Sequence, residues 1–161
     1  MDTPLKTAQA FQEKTTTGRD IVELVSGAHI KYQLVYHLQW VPKCRYKIFR
    51  KEKYRHDYEV ILRILAKRYG FEIVELAVMP DHVHIVVMAP PSFSVSKILQ
   101  ILKGGSSYEF FHLHPEFRLR YPKGHLFSPG KFCRSVGSVD LKATTEYVRN
   151  QTKQTTLQIF S

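Results

Sequence analysis

Cysteine is scarce in this chain: 161 residues hold only two, Cys44 and Cys133, far apart and outside any metal-type spacing. That excludes a disulfide framework and a zinc knuckle. Long hydrophobic runs are missing as well. No apolar stretch approaches the roughly 18 residues that a membrane helix needs, and Met1 to Lys14 lacks the apolar segment of a secretory signal. These absences lead to the expectation of a cytoplasmic protein with no membrane partner. Acidic residues are outnumbered, 14 against 24 Lys and Arg, for a formal net charge of +10. Such an excess attracts polyanions through phosphate contact and counterion release, so nucleic acid is the leading partner class, although charge alone does not establish it.

What is present suffices for one compact domain. Hydrophobic residues make up 43% of the chain and charged residues 24%, an ordinary globular balance. Residues 1–26 mix Thr, Lys and Glu without periodicity and read as an N-terminal extension; residues 27–161 read as a single domain. From Ile30 to Val41, Ile30, Tyr32, Leu34, Tyr36, Leu38 and Trp40 alternate onto one face of an expected strand. Tyr54, Tyr58, Leu62, Leu65 and Tyr69 recur at helical steps between Lys51 and Tyr69, with Gly70 where a C-terminal cap belongs. Phe71–Met79 and His82–Ala89 are β-rich, and Pro80-Asp81 between them makes a hairpin turn.

Ser94 can cap a second helix that is interrupted at Gly104-Gly105 and resumes toward Phe111. Leu126–Val136 reads as a strand broken by Pro129-Gly130, followed by Gly137 and a last helix capped by Ser138, with Asp140 in its first turn. The order is βαββαβ with an added C-terminal helix. The expected fold class is therefore α+β: a ferredoxin-like antiparallel sheet, helices on one face, and an extra helix that carries Tyr147. That scaffold serves many functions, so function has to be argued from side chains.

The sharpest local signal is Asp81-His82-Val83-His84. A period of two sends His82 and His84 to one face of the strand and Val83, Ile85 and Val87 to the other, where a core can take them. Side chains two residues apart on a strand can lean onto one cation, yet an isolated His-x-His more often marks the polar face of a half-exposed strand. Support comes from the last helix. Tyr147 and Gln151, four residues apart, share a face, while Leu141, Thr144 and Val148 form a neighbouring packing stripe. Two neutral histidines and the Gln151 amide oxygen would leave positions open on a metal for phosphate oxygens. Asn150 points about 100° away from Gln151 around the axis and is passed over. Asp81 reads first as a turn residue and second as an acceptor orienting an imidazole.

Five blocks then form a pattern: YHLQWVPKCR from Tyr36 to Arg45, VMPDHVHIVV, LKGGSS, LFSPGKFCRSVG and EYVRNQ. Their order and spacing from about residue 30 to 151 resemble the single-tyrosine HUH transposases of small insertion sequences, the insertion-sequence 200/605 group. The resemblance implies His82 and His84 as metal ligands, Gln151 as the third ligand, and Tyr147 as the nucleophile. It also implies a homodimer acting on single-stranded DNA hairpins at element ends, with the tyrosine joined to a 5′ phosphate and a 3′ hydroxyl released. Gly137 would be a hinge for the helix that carries the tyrosine. The donor set suits Mg²⁺ or Mn²⁺, with no nucleotide cofactor, since the phosphotyrosine keeps the bond energy for rejoining. No general base is evident for the phenol.

DNA contacts are expected from Lys43, Arg45, Lys47, Arg50 and Lys51 after the first strand, from Lys97 and Lys103 on the second helix, and from Lys131 and Arg134 near the site. Tyr46 and Phe49 are candidates for stacking on unpaired bases. Two alternatives stand beside this reading. One is a non-catalytic nucleic-acid-binding module on the same fold; the other is a different HUH enzyme, a replication initiator or a repeat-associated transposase.

Overall fold

The computed structural model describes residues 24–26 and 29–159, with side chains through residue 154. Most of the expected N-terminal extension thus lies outside the described residues. Its last part does not: β1 (Val25–Ser26) pairs antiparallel with β2 (Lys31–Tyr32) in a separate two-stranded ribbon. The expected first strand is therefore divided, and the main sheet begins with β3 (Val35–Pro42). The ladders explain the break. Both partners of β3 start opposite Val35, namely Met88 and Val136, so among the described residues the ladders end there, with only Ala89 N–H donating to Leu34 O beyond them, and Ile30 is exposed.

Helix α1 (Glu52–Arg68) ends in a Schellman motif: Gly70 N–H donates to Lys67 O at 3.2 Å and Phe71 N–H to Ala66 O at 2.8 Å. Gly70 sits at φ +70°, where a side chain is strained. β4 (Glu72–Met79) and β5 (His82–Met88) form the expected hairpin. α2 (Val95–Leu99) starts with the Ser94 hydroxyl accepting from Lys97 N–H. The helix does not stop at the glycine pair. It widens into a π-helical stretch (Gln100–Gly105) and continues as α3 (Ser106–Leu113). A Cβ on Gly105 would lie 3.3 Å from Leu65 Cδ1, so glycine lets this segment approach α1 closely.

After a 3₁₀ turn (Pro115–Leu119), β6 (Phe127–Val136) pairs with β3, with a register shift between Trp40 and Pro42 that absorbs Pro129-Gly130. α4 (Ser138–Ile159) closes the described chain. Ser138 opens this helix rather than capping it, and Asp140 falls in the first turn. Sheet order β4-β5-β3-β6, antiparallel throughout, is the ferredoxin-like arrangement. No helix among the described residues is long and apolar enough to cross a membrane.

The sheet is covered on both faces. Leu38, Trp40, Val83, Ile85 and Val87 pack with α1, α2 and α3 in the larger core. On the other face Val35, Ala77, Met79, Val86 and Met88 meet Leu141 and Val148 of α4. Arg149 Nε donates to Glu75 Oε2 at 3.1 Å, an ion pair that ties α4 to β4. Inside the larger core, Trp40 Nε1–H donates to the Tyr58 hydroxyl at 3.1 Å, and that hydroxyl lies 2.7 Å from Ser106 Oγ.

Burial raises the Tyr58 phenol well above its usual range, against the smaller opposing pull of the Ser106 and Trp40 hydrogen bonds. A raised folded-state value means the stabilisation is complete below the ordinary phenol range and drains away as pH rises beyond it. Tyr58→Phe is expected to lower stability at pH 7 by about 1–3 kcal/mol, because it leaves the Trp40 donor without its partner. The same variant should lose stability less steeply above about pH 10 than the wild type. Denaturant unfolding across that pH range measures both effects, and an unchanged alkaline slope contradicts the assignment.

Candidate active site

Cross-strand partners share a face of the sheet, so the pairings fix where each candidate points. His84 pairs with Gln39 and Val86 with His37, and Val86 packs under α4; His37, Gln39, His82 and His84 therefore face that helix. Helix α4 seats itself through Leu141, Thr145 and Val148. Thr145 takes the place expected of Thr144, with its hydroxyl donating to Leu141 O at 2.8 Å. This seating carries Tyr147 over the histidines, with about half of its surface exposed.

The rings of His82 and His84 are 5.0 Å apart, and the Tyr147 ring stands edge-on to His84 at 5.8 Å. The meeting occurs within one chain. Gln151 follows one helical turn after Tyr147 on the same side of α4 and is half-buried. Among the described residues no three His, Cys, Asp or Glu side chains converge as a metal cage.

A third histidine, absent from the sequence reading, stands against His84. His37 Nε2 lies 3.1 Å from His84 Nδ1, the two rings stack at 5.4 Å, and Tyr147 stands edge-on to His37 at 6.2 Å. Its signal in the sequence was faint. His37 sits out of phase with Tyr36, Leu38 and Trp40, on the strand face that looks polar until Val35 and Val41 on the same parity are noticed.

Electrostatics favour neutral forms of His84 and His37. Burial pushes His84 down to about 4, with the nearby His82 and His37 adding to the effect. Burial lowers His37 as well, followed by the Arg134 charge. Neutral imidazole is the form that ligates metals. His82 is held from below: its Nδ1 is 2.7 Å from Asp81 Oδ1, and a carboxylate can only accept, so the proton is on Nδ1 and Nε2 is left for a ligand. Asp81 is thus both the turn residue and the acceptor. Burial works against its charge, but the His82 hydrogen bond and charge, together with Arg45, hold its carboxyl below the usual range. Arg45 Nη2 donates to Asp81 Oδ2 at 3.1 Å from a loop where Cys44 and Arg45 both adopt positive φ, 58° and 49°.

The expected DNA contacts are sorted by the structure. Lys43, Arg45, Lys47, Arg50 and Lys51 are all exposed, with Arg45 engaged on Asp81. Lys97 is exposed and bonds to Gln100. Tyr46 is exposed and carries Arg120 over its ring at 4.9 Å, but Phe49 is fully buried and offers nothing to a base. Arg134, opposite His37, is on the histidine face. Lys131, opposite Trp40, is on the other face of the sheet, where it lines a groove of about 380 Å³ with Lys103 and Ser107. Lys103 spends its ammonium on the carbonyls of Ser128, Pro129 and Gly130, holding the irregular stretch of β6.

A model of the transposase IS200-like family matches residues 30–151. This chain belongs to that family. The transposase is 30% identical over 130 residues to the ISDra2 transposase TnpA of Deinococcus radiodurans, covering 81% of this chain and 92% of that protein. It is also 30% identical over 129 residues to the transposase for insertion sequence element IS200 of Salmonella typhimurium, covering 80% and 84% respectively. Among solved structures, a putative transposase from Deinococcus radiodurans superposes with a TM-score of 0.65 at 30% identity, over 80% of this chain and 98% of that one. A REP-associated tyrosine transposase bound to a REP hairpin gives a TM-score of 0.55 at 14% identity over 83% and 74%, a likeness of fold.

Lys103→Met in this transposase is expected to cost about 1–3 kcal/mol, since three carbonyls lose a charged donor. Lys131→Met, an exposed change, should stay within about 0.5 kcal/mol of wild type. Denaturant unfolding separates the two, and equal stability would contradict the clamp.

Proposed function

We propose that this IS200-like transposase is a metal-dependent enzyme that cleaves and rejoins single-stranded DNA at hairpin ends of an insertion sequence through a covalent 5′-phosphotyrosine. The observation that carries the reading is the approach of the Tyr147 ring to 5.8 Å from His84, from a helix far along the chain. His82 and His84 through Nε2, with the Gln151 amide oxygen, would hold Mg²⁺ or Mn²⁺. When bound, the ion supplies charge that polarises the scissile phosphate. The donor set fits such an ion: two neutral imidazoles have their Nδ1 atoms already engaged, and an amide stands one turn from the tyrosine.

Tyr147 is the group that reacts. Its oxygen attacks the phosphorus, the bond to the 3′ oxygen breaks, and that oxygen leaves as a 3′ hydroxyl while the 5′ phosphate stays on the tyrosine. Return attack by a 3′ hydroxyl reseals DNA and frees the phenol, so no nucleotide cofactor is consumed. The phenol is accessible for this, since half of its surface is open. Basic side chains at Lys43, Lys47, Arg50 and Lys51 supply phosphate contacts, with Arg134 beside the histidines. A homodimer is part of the proposal, and the outer edge of β6, which pairs with no strand among the described residues and exposes Phe132, gives a second copy a place to pair.

Incubation with labelled single-stranded hairpin DNA and Mn²⁺ should give a denaturation-resistant protein–DNA species that disappears in Tyr147→Phe. An adduct in that variant overturns the nucleophile assignment, and none in the wild type favours a non-catalytic binding module. His82→Ala and His84→Ala should each abolish the adduct while hairpin binding persists, because losing a ligand removes chemistry rather than phosphate contacts. Loss of both together would assign the histidines a structural role instead.

A further inference from the structure

We infer that His37 is a positioning residue for the metal site: it accepts a hydrogen bond from His84 Nδ1 and so fixes the tautomer and orientation that leave His84 Nε2 to the ion. The inference rests on the proposed metal-binding role of His82 and His84. Its basis is the 3.1 Å contact between His37 Nε2 and His84 Nδ1, made between residues that are 8% and 3% exposed. Water cannot readily substitute for a partner at that depth, so a proton must lie between the two nitrogens. A neutral imidazole carries one N–H and one lone pair. For His84 to offer Nε2, the proton in this contact must belong to His84, which makes His37 Nε2 the acceptor.

The two histidines of β5 are then held by the same device from different sources. His82 gives its Nδ1 proton to Asp81 at 2.7 Å, and His84 gives its own to His37. A carboxylate serves the more exposed ring. A neutral imidazole serves the buried one, where an unpaired charge would be costly to desolvate. His37 is itself held in place: Phe132 meets it edge-on at 5.5 Å, and its stack with His84 fixes the ring plane. Tyr147 rests edge-on against both members of the stack, so the same pair that orients a ligand also forms the floor beneath the phenol.

Two variants and one spectrum test this. His37→Phe keeps a ring against His84, Phe132 and Tyr147 but removes the acceptor; His37→Gln keeps an acceptor at similar reach. Mn²⁺ binding, read by electron paramagnetic resonance without DNA, should weaken by about 10- to 100-fold in His37→Phe and recover most of that loss in His37→Gln. Equal affinity in His37→Phe and wild type, or equal weakness in the two variants, overturns the inference. His84→Ala is the control: Mn²⁺ lost there but kept in His37→Phe sinks the role of His37 alone, whereas no Mn²⁺ binding by the wild type sinks the metal reading beneath it. Imidazole nitrogen–proton correlation spectra of the metal-free wild type do not depend on how the variants fold. They should show His84 protonated at Nδ1 and His37 bare at Nε2; the reverse arrangement overturns the inference.

Discussion

The seating of α4 on the second face of the sheet is the contact on which the site depends. Leu141 and Val148 enter an apolar patch made by Val35, Ala77, Met79, Val86 and Met88, and Arg149 locks onto Glu75 at one side. On the helix Leu141 lies six positions before Tyr147, and Val148 and Arg149 lie one and two positions after it, so burial of Val148 dictates where the phenol is carried. Helical spacing does the rest: Gln151 follows on the same side one turn later. A helix that missed this patch would leave His84 buried beneath nothing and Tyr147 without a site.

The histidines illustrate the same economy at the level of a strand. Because side chains on β5 alternate, Val83, Ile85 and Val87 anchor the strand in the larger core while His82 and His84 look the other way. The turn at Pro80-Asp81 adds the carboxylate that holds His82, and the loop after β3 delivers Arg45 to that carboxylate at the expense of two strained residues. Residues adjacent in the chain therefore supply both an imidazole and the carboxylate that orients it. His84 draws its support from across the sheet instead, from His37.

How much of this was legible in the sequence follows from the range of the forces involved. Alternation and helical spacing are local, so the hairpin, α1 with its Gly70 cap, and the face shared by Tyr147 and Gln151 could be read directly. The βαββαβ order followed from the same signals, and the sheet order agrees with it. Pairing between distant strands is not local. It decided that the strand expected from Ile30 begins instead at Val35 and that Lys131 points away from the histidines while Arg134 points toward them, just as tertiary packing against Tyr58, Phe110 and Phe127 made Phe49 core. The role of Lys103 was hidden for a related reason, since its partners are backbone carbonyls that no side-chain pattern announces. His37 was hidden twice, by its solitary position and by a strand face that turns apolar only once α4 covers it.

The central claim is that one helix brings its tyrosine against histidines from a hairpin distant in sequence, and a direct measurement of proximity tests it best. Nuclear Overhauser spectra of protein carbon-labelled in its aromatic rings should contain cross-peaks from the Tyr147 ring protons to the imidazole protons of His84 and His37, consistent with the ring spacings of 5.8 and 6.2 Å. A Tyr147 ring that shows contacts elsewhere and none to either imidazole, in samples of uniform or mixed labelling, would contradict the account.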